Sequence, residues 1–117
     1  MVNISNEKGM ITITNDVLTN MAGDAATSCF GVKGMVVRSV TDGLVHLLKR
    51  EAMGKGVHIE YNEDGTVSIE LHIAVDPGIN IPVICANIIQ EVGYKVEGAT
   101  GVVVNRIDVF VDSMIVG

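Results

Sequence analysis

The sequence predicts an α+β fold. This is a two-layer sandwich, with two long helices on one face of a mixed β-sheet and a short middle helix, in the order βαβαββαβ. Three observations point there. The segments 14–30 and 80–98 repeat their apolar residues every three or four positions, which is the spacing of one helix face. The segment 57–75 alternates apolar and polar residues on both sides of an Asp-Gly pair, the mark of a hairpin. The chain is 48% hydrophobic and 19% charged, which suits one buried core and excludes general disorder. With aromatics at only 3%, that core is built from Val, Ile, Leu, Met and Ala.

Residues 1–8 read as a loose lead-in to a single domain spanning 1–117, and "GMITI" (9–13) as a short strand. In "TNDVLTNMAGDAATSCF" Val17, Leu18, Met21, Ala22, Ala25, Ala26 and Cys29 share a helix face. Thr14 or Asn15 can cap it, Asp16 favours its first turn and Gly31 stops it. "VKGMVVRSV" (32–40) reads as a second strand, weakened by Gly34. "TDGLVHLLKREAMGKG" (41–56) reads as the short middle helix, with Thr41 or Asp42 as its cap, Leu44, Val45, Leu47, Leu48 and Ala52 as its apolar stripe and Gly54 and Gly56 as its stop.

The hairpin register follows from requiring apolar residues to share a face. A three-residue loop, Glu63-Asp64-Gly65, pairs Tyr61 with Val67, Ile59 with Ile69 and Val57 with Leu71, with Gly65 in the left-handed position. His58 then faces Glu70 on the other side of the sheet. After the turn at 76–78, Asn80 caps the last helix and Pro82 fits its first turn. Its buried stripe is Ile81, Ile84, Cys85, Ile88, Ile89, Val92 and Val96, and Gly98 ends it.

Charge and composition narrow the function. A net charge of −6, with no local cluster of Lys or Arg, disfavours nucleic acid and anionic lipid as partners. The N-terminus shows no signal-peptide pattern, and no apolar run is long enough for direct membrane insertion. Cys29 and Cys85 lie beside apolar residues in predicted helices. They read as buried thiols in a reducing cytoplasm, with a disulfide as the alternative.

No cofactor is expected. "GKG" (54–56) follows a helix, whereas phosphate-binding glycine loops follow a strand and open a helix. His58, Glu70 and His72 are neighbours on the polar sheet face and could ligate a metal, with ordinary solvated strand residues as the competing reading. Ser28 and Cys29 sit at a helix end, away from any strand-to-helix elbow, so no catalytic residue is assigned.

The last strand, "GVVVNRIDVFVDS" (101–113), raises a question. One alternating set is Val103, Asn105, Ile107, Val109 and Val111, suited to a core. The other contains Val102, Val104 and Phe110, which would face away from the helices. With Ile115 in the apolar tail, these are the candidate partner-binding residues. The alternatives are cover by the middle helix or by the lead-in residues.

The ordered landmarks "GMITI", "TNDVL", "GVKGM", "DGLVHLLKRE", "KGVHIEY", "IELHIAVDPGINI" and "TGVVVNRIDVFV" resemble the alkaline shock protein 23 family, also called the envelope stress response family, in its short single-domain form. One departure is Pro77-Gly78, where the family often has an aromatic residue before the glycine. The resemblance implies a cytoplasmic, non-catalytic bacterial scaffold. Its partners would be itself, as a homo-oligomer, a membrane-anchoring protein that brings it to the membrane, or a metabolic protein. The alternative is an accessory protein binding a small ligand such as an acyl chain, linked to fatty-acid-kinase metabolism. No catalytic residue carries over.

Overall fold

The two long helices form where the apolar spacing puts them: α1 is Asn15–Thr27 and α2 is Ile81–Thr100. The computed structural model describes residues 1–39 and 41–116. Val40, read from sequence as the end of the second strand, lies outside the described residues. At the start of α2 the Asn80 side chain accepts the Val83 N–H at 3.3 Å, and Pro82 sits in the first turn. The helix runs through Gly98 and ends at Gly101, whose φ of +75° is the left-handed conformation that closes a helix at little cost in glycine. Thr14 precedes α1 without a side-chain capping bond. Asn15 Oδ1 instead accepts the Tyr61 hydroxyl at 2.8 Å, tying the helix to the hairpin.

The main sheet has five strands: β3 (Val32–Arg38), β4 (Val45–Leu47), β5 (Val57–Tyr61), β6 (Val67–Val75) and β7 (Val104–Met114). The β5–β6 register is the predicted one, Tyr61 with Val67, Ile59 with Ile69 and Val57 with Leu71, and Gly65 has φ +86°. β7 runs parallel to β6 along its whole length, and α2 is the crossover that a parallel pair requires. β5 and β3 therefore share the opposite edge of β6, β5 beside Val67–Leu71 and β3 beside Ile73–Val75. β4 extends the sheet beyond β3.

Both helices cover one face. Ala22, Ala25 and Ala26 of α1 are fully buried, and their small side chains let the helix lie close over the sheet. Leu18, Ile88, Val92 and Val96 fill the layer above Ile69, Leu71 and Ile73 of β6.

Two local expectations are corrected. The lead-in is a strand: β1 (Val2–Asn6) pairs with β2 (Gly9–Ile13) in a separate hairpin. Its turn is closed by a side chain, since Asn6 Oδ1 accepts the N–H groups of Lys8 at 2.8 Å and Gly9 at 3.1 Å. Val2 and Ile13 pack on the core, while Ile4 and Ile11 remain exposed.

The middle helix is the second correction. Asp42 serves a turn instead of capping a helix: its Oδ1 accepts the Leu44 N–H at 2.9 Å, and Gly43 adopts φ +69°. The chain reverses there, and Val45–Leu47 pairs with β3. Only Arg50–Gly56 is helical, as a 3-10 turn.

Gly56 marks a close approach. A Cβ there would lie 2.9 Å from Met35 Cβ and 3.0 Å from Val36 O, with no positive φ to contribute. Gly56→Ala is expected to lower stability by about 1–3 kcal/mol through overpacking, read as a shift in the urea midpoint. An unchanged midpoint would mean that β3 and the 3-10 turn do not close on this residue.

Candidate functional site

The face of the sheet opposite the helices carries His58 and Glu60 from β5, Ser68, Glu70 and His72 from β6, and Arg106, Asp108 and Phe110 from β7. At its centre His72 Nε2 lies 2.8 Å from Glu70 Oε2 and Nδ1 lies 2.7 Å from Asp112 Oδ2. Phe110 stacks on the imidazole with ring centroids 4.8 Å apart and planes 11° from parallel. A neutral imidazole can donate from only one nitrogen, so both carboxylates are satisfied only by the imidazolium. Partial burial opposes that charge, and the hydrogen bonds and charges of Glu70 and Asp112 outweigh it, holding the His72 pKa above its ordinary 6.5.

The raised value fixes the sign of a pH effect. The stabilisation is fully present below 6.5, the ordinary value, and is lost as pH rises through the higher folded pKa. His72→Gln is expected to cost about 1–3 kcal/mol at mildly acidic pH, as for hydrogen bonds to charged groups. The difference from wild type should shrink in mildly alkaline buffer. A difference independent of pH would remove the two carboxylates from the explanation.

Beside this cluster, where β5 and β3 part along β6, lies an opening of about 430 Å³ whose lining includes Val36, Arg38, Lys55, His58, Glu70 and His72. Among the described residues no three His, Cys, Asp or Glu side chains are grouped so as to hold a metal. The cross-strand neighbours His58 and Glu70 are where the sequence put them, but both His72 nitrogens are already engaged with carboxylates. Burial raises the Cys85 thiol pKa. Burial first, then Glu91, raises that of Cys29 against a smaller opposing effect of Lys95. Both are free thiols and neither is set up as a thiolate nucleophile.

The candidate partner residues divide. Phe110 stands on the uncovered face and is 43% exposed. Val102 is buried in the core and Val104 packs against it, which corrects their expected position beside Phe110. The cause is a bulge. Val104 pairs with Val67 and Arg106 with Ser68, leaving Asn105 as an extra residue, so the alternation reverses upstream of it. Val103, expected inside, is 58% exposed for the same reason. A second bulge inserts Asp112 between Val111 and Ser113. Ile115 lies beyond β7, half-buried, its N–H donating to Val75 O at 3.0 Å. Sequence reasoning missed Asp112 as a partner of His72, because the contact spans 40 residues and depends on the parallel β6–β7 register.

The sequence profile of the alkaline shock protein 23 family, described as having a cell envelope-related function, matches residues 3–116. The chain belongs to that family. Relatives within reach are themselves uncharacterized. YloU of Bacillus subtilis is 29% identical over 114 residues, covering 97% of this chain and 94% of the relative. Spy1614 of Streptococcus pyogenes is 29% identical over 114 residues, covering 97% and 93%. Among solved structures, this family member is similar to a double variant of MamM CTD, with a TM-score of 0.52 and 19% identity over 87% of this chain and 95% of the other. A single-substitution variant of MamM CTD gives 0.51 and 18% over 86% and 98%. At that identity the likeness concerns the fold, and it agrees with the α+β class. Among the described residues no helix is long and apolar enough to cross a membrane.

Proposed function

We propose that this family member is a non-catalytic interaction module of the bacterial cytoplasm, acting by self-association or by binding a protein partner near the membrane. The observation that carries the reading is the one-sided sheet: both long helices lie on one face, while the other presents Phe110 with no helix over it among the described residues. The envelope-related description of the family supports the setting. Phe110 is 43% exposed on that face, and Met114 and Val116 nearer the end of the chain are 51% and 80% exposed, so apolar surface is available to another protein.

The acyl-chain alternative gains no comparable support. The layer between helices and sheet, where such a chain would lie, is filled by Leu18, Ile69, Leu71, Ile73, Ile88 and Val92, all fully buried. Sedimentation of the wild-type protein across the micromolar range tests the self-association arm. Mass above the monomer that grows with concentration is expected, and a monomer throughout would remove that arm.

A further inference from the structure

β7 is the longest strand of the sheet, eleven residues, or roughly 36 Å at the usual rise per residue. One of its edges pairs with β6, and the other pairs with no strand among the described residues. Long open edges are commonly guarded by proline, by charged side chains or by bulges that twist the edge away. β7 contains no proline, and its bulges at Asn105 and Asp112 lie toward its two ends, so the stretch between them is regular; there Ile107, Val109 and Val111 face the helix side and are partly buried. Next to this edge, on the helix side, is an opening of about 410 Å³ lined in part by Ile89, Gly93, Tyr94, Val104 and Ile107, with Ile89 42% and Tyr94 75% exposed. A strand added at the edge would continue the backbone ladder and cover this apolar margin together.

Resting on the self-association reading above, we propose that β7 pairs antiparallel with β7 of a second copy about a two-fold axis through Val109. The side-chain order selects both partner and register. Directly opposed residues in an antiparallel pair share a face, so a two-fold axis must pass through a residue position. An axis through Asp108 sets Asp108 against itself, and one through Phe110 sets Asp108 against Asp112, both like-charge pairs that destabilise a sheet. An axis through Ile107 sets Arg106 against Asp108 but runs out of strand beyond Val104–Phe110. The axis through Val109 spans the whole strand, with the regular stretch Ile107–Val111 centred on it and the bulges at Asn105 and Asp112 outside that stretch. It sets Arg106 against Asp112, Ile107 against Val111, Asp108 against Phe110 and Val109 against itself.

The ionic groups can meet this demand without losing their present contacts. Arg106 uses Nε for Asp108, at 2.9 and 3.0 Å, so its Nη groups can serve Asp112 of the second copy. Asp112 uses Oδ2 for His72, leaving Oδ1. The axis stands perpendicular to the sheet, so the two outer faces join into one and the helices stay together on the other side.

The test is disulfide trapping in full-length protein carrying Cys29→Ala and Cys85→Ala, with Val109→Cys in one variant and Val103→Cys in another. Under mild oxidation Val109→Cys should pass mostly into a covalent dimer. Val103→Cys should not, because its copies would stand about 40 Å apart across the axis. Wild type and Val109→Cys that sediment above the monomer without cross-linking would overturn the β7 pairing and leave self-association standing. Cross-linking of Val103→Cys to the same extent would also overturn it, and a monomeric wild type would sink both readings. Hydrogen exchange of unsubstituted protein is independent of the cysteines: protection across residues 104–114 should rise with concentration, and unchanged protection would overturn the pairing.

Discussion

Leu71→Ala is expected to lower the free energy of unfolding by about 2–5 kcal/mol. Leu71 is fully buried at the middle of β6, between Val57 of β5 and Val109 of β7 in the sheet and beneath the helices. Truncation removes its transfer energy and leaves a cavity that three paired strands and two helices cannot easily close. A domain this size has only roughly 5–15 kcal/mol of net stability, so the variant sits near the edge of folding at physiological temperature. Urea titration followed by circular dichroism should show the midpoint falling with little change in slope. Val103→Ala is the contrast, because that side chain is mostly exposed, and it should change stability by less than about 0.5 kcal/mol. A loss at Leu71 no larger than at Val103 would mean that β6 is not the centre of the core.

Phe110→Asp has its large effect between molecules. Phe110 stacks on His72 and is 43% exposed, so the folded monomer gives up part of its apolar burial when it is replaced, and the exposed remainder is what a second molecule would cover. If an associating surface covers that remainder, each copy loses less than half of the roughly 1.5–3 kcal/mol of a full burial, and two substituted copies together lose about 1–3 kcal/mol, roughly a ten- to hundredfold weaker association. In the β7 pairing about Val109 the new carboxylate would also face Asp108 of the second copy, adding like-charge repulsion. The added charge stands near Glu70 and Asp112 as well, so the variant should hold the His72 imidazolium more firmly. Reduced association of a monomer that still folds is the expected combination.

The sequence was most legible where structure is local. Strict alternation around Asp64-Gly65 determined the β5–β6 register residue by residue, because a slip by one would expose every apolar side chain. The α2 cap was legible in Asn80 and Pro82. The 41–56 segment misled because Asp42 can cap a helix or brace a turn, and Gly43 with positive φ chose the turn. β1 was hidden because its turn is built by the Asn6 side chain instead of a glycine pair. At the outer face, period-two reading placed Phe110 correctly and failed at Val102 and Val104, since a one-residue bulge at Asn105 has no signal in alternation. The Glu70–His72–Asp112 cluster was half legible: Glu70 and His72 are neighbours on one strand, while Asp112 arrives only through the parallel crossover.

Sedimentation equilibrium of wild type beside Phe110→Asp, both shown to be folded by circular dichroism, bears most directly on the idea that the uncovered sheet face is a contact surface. Wild-type mass should climb above the monomer with concentration while Phe110→Asp stays at or near the monomer. Two proteins that associate equally, or a wild type that remains monomeric at every concentration, would contradict it.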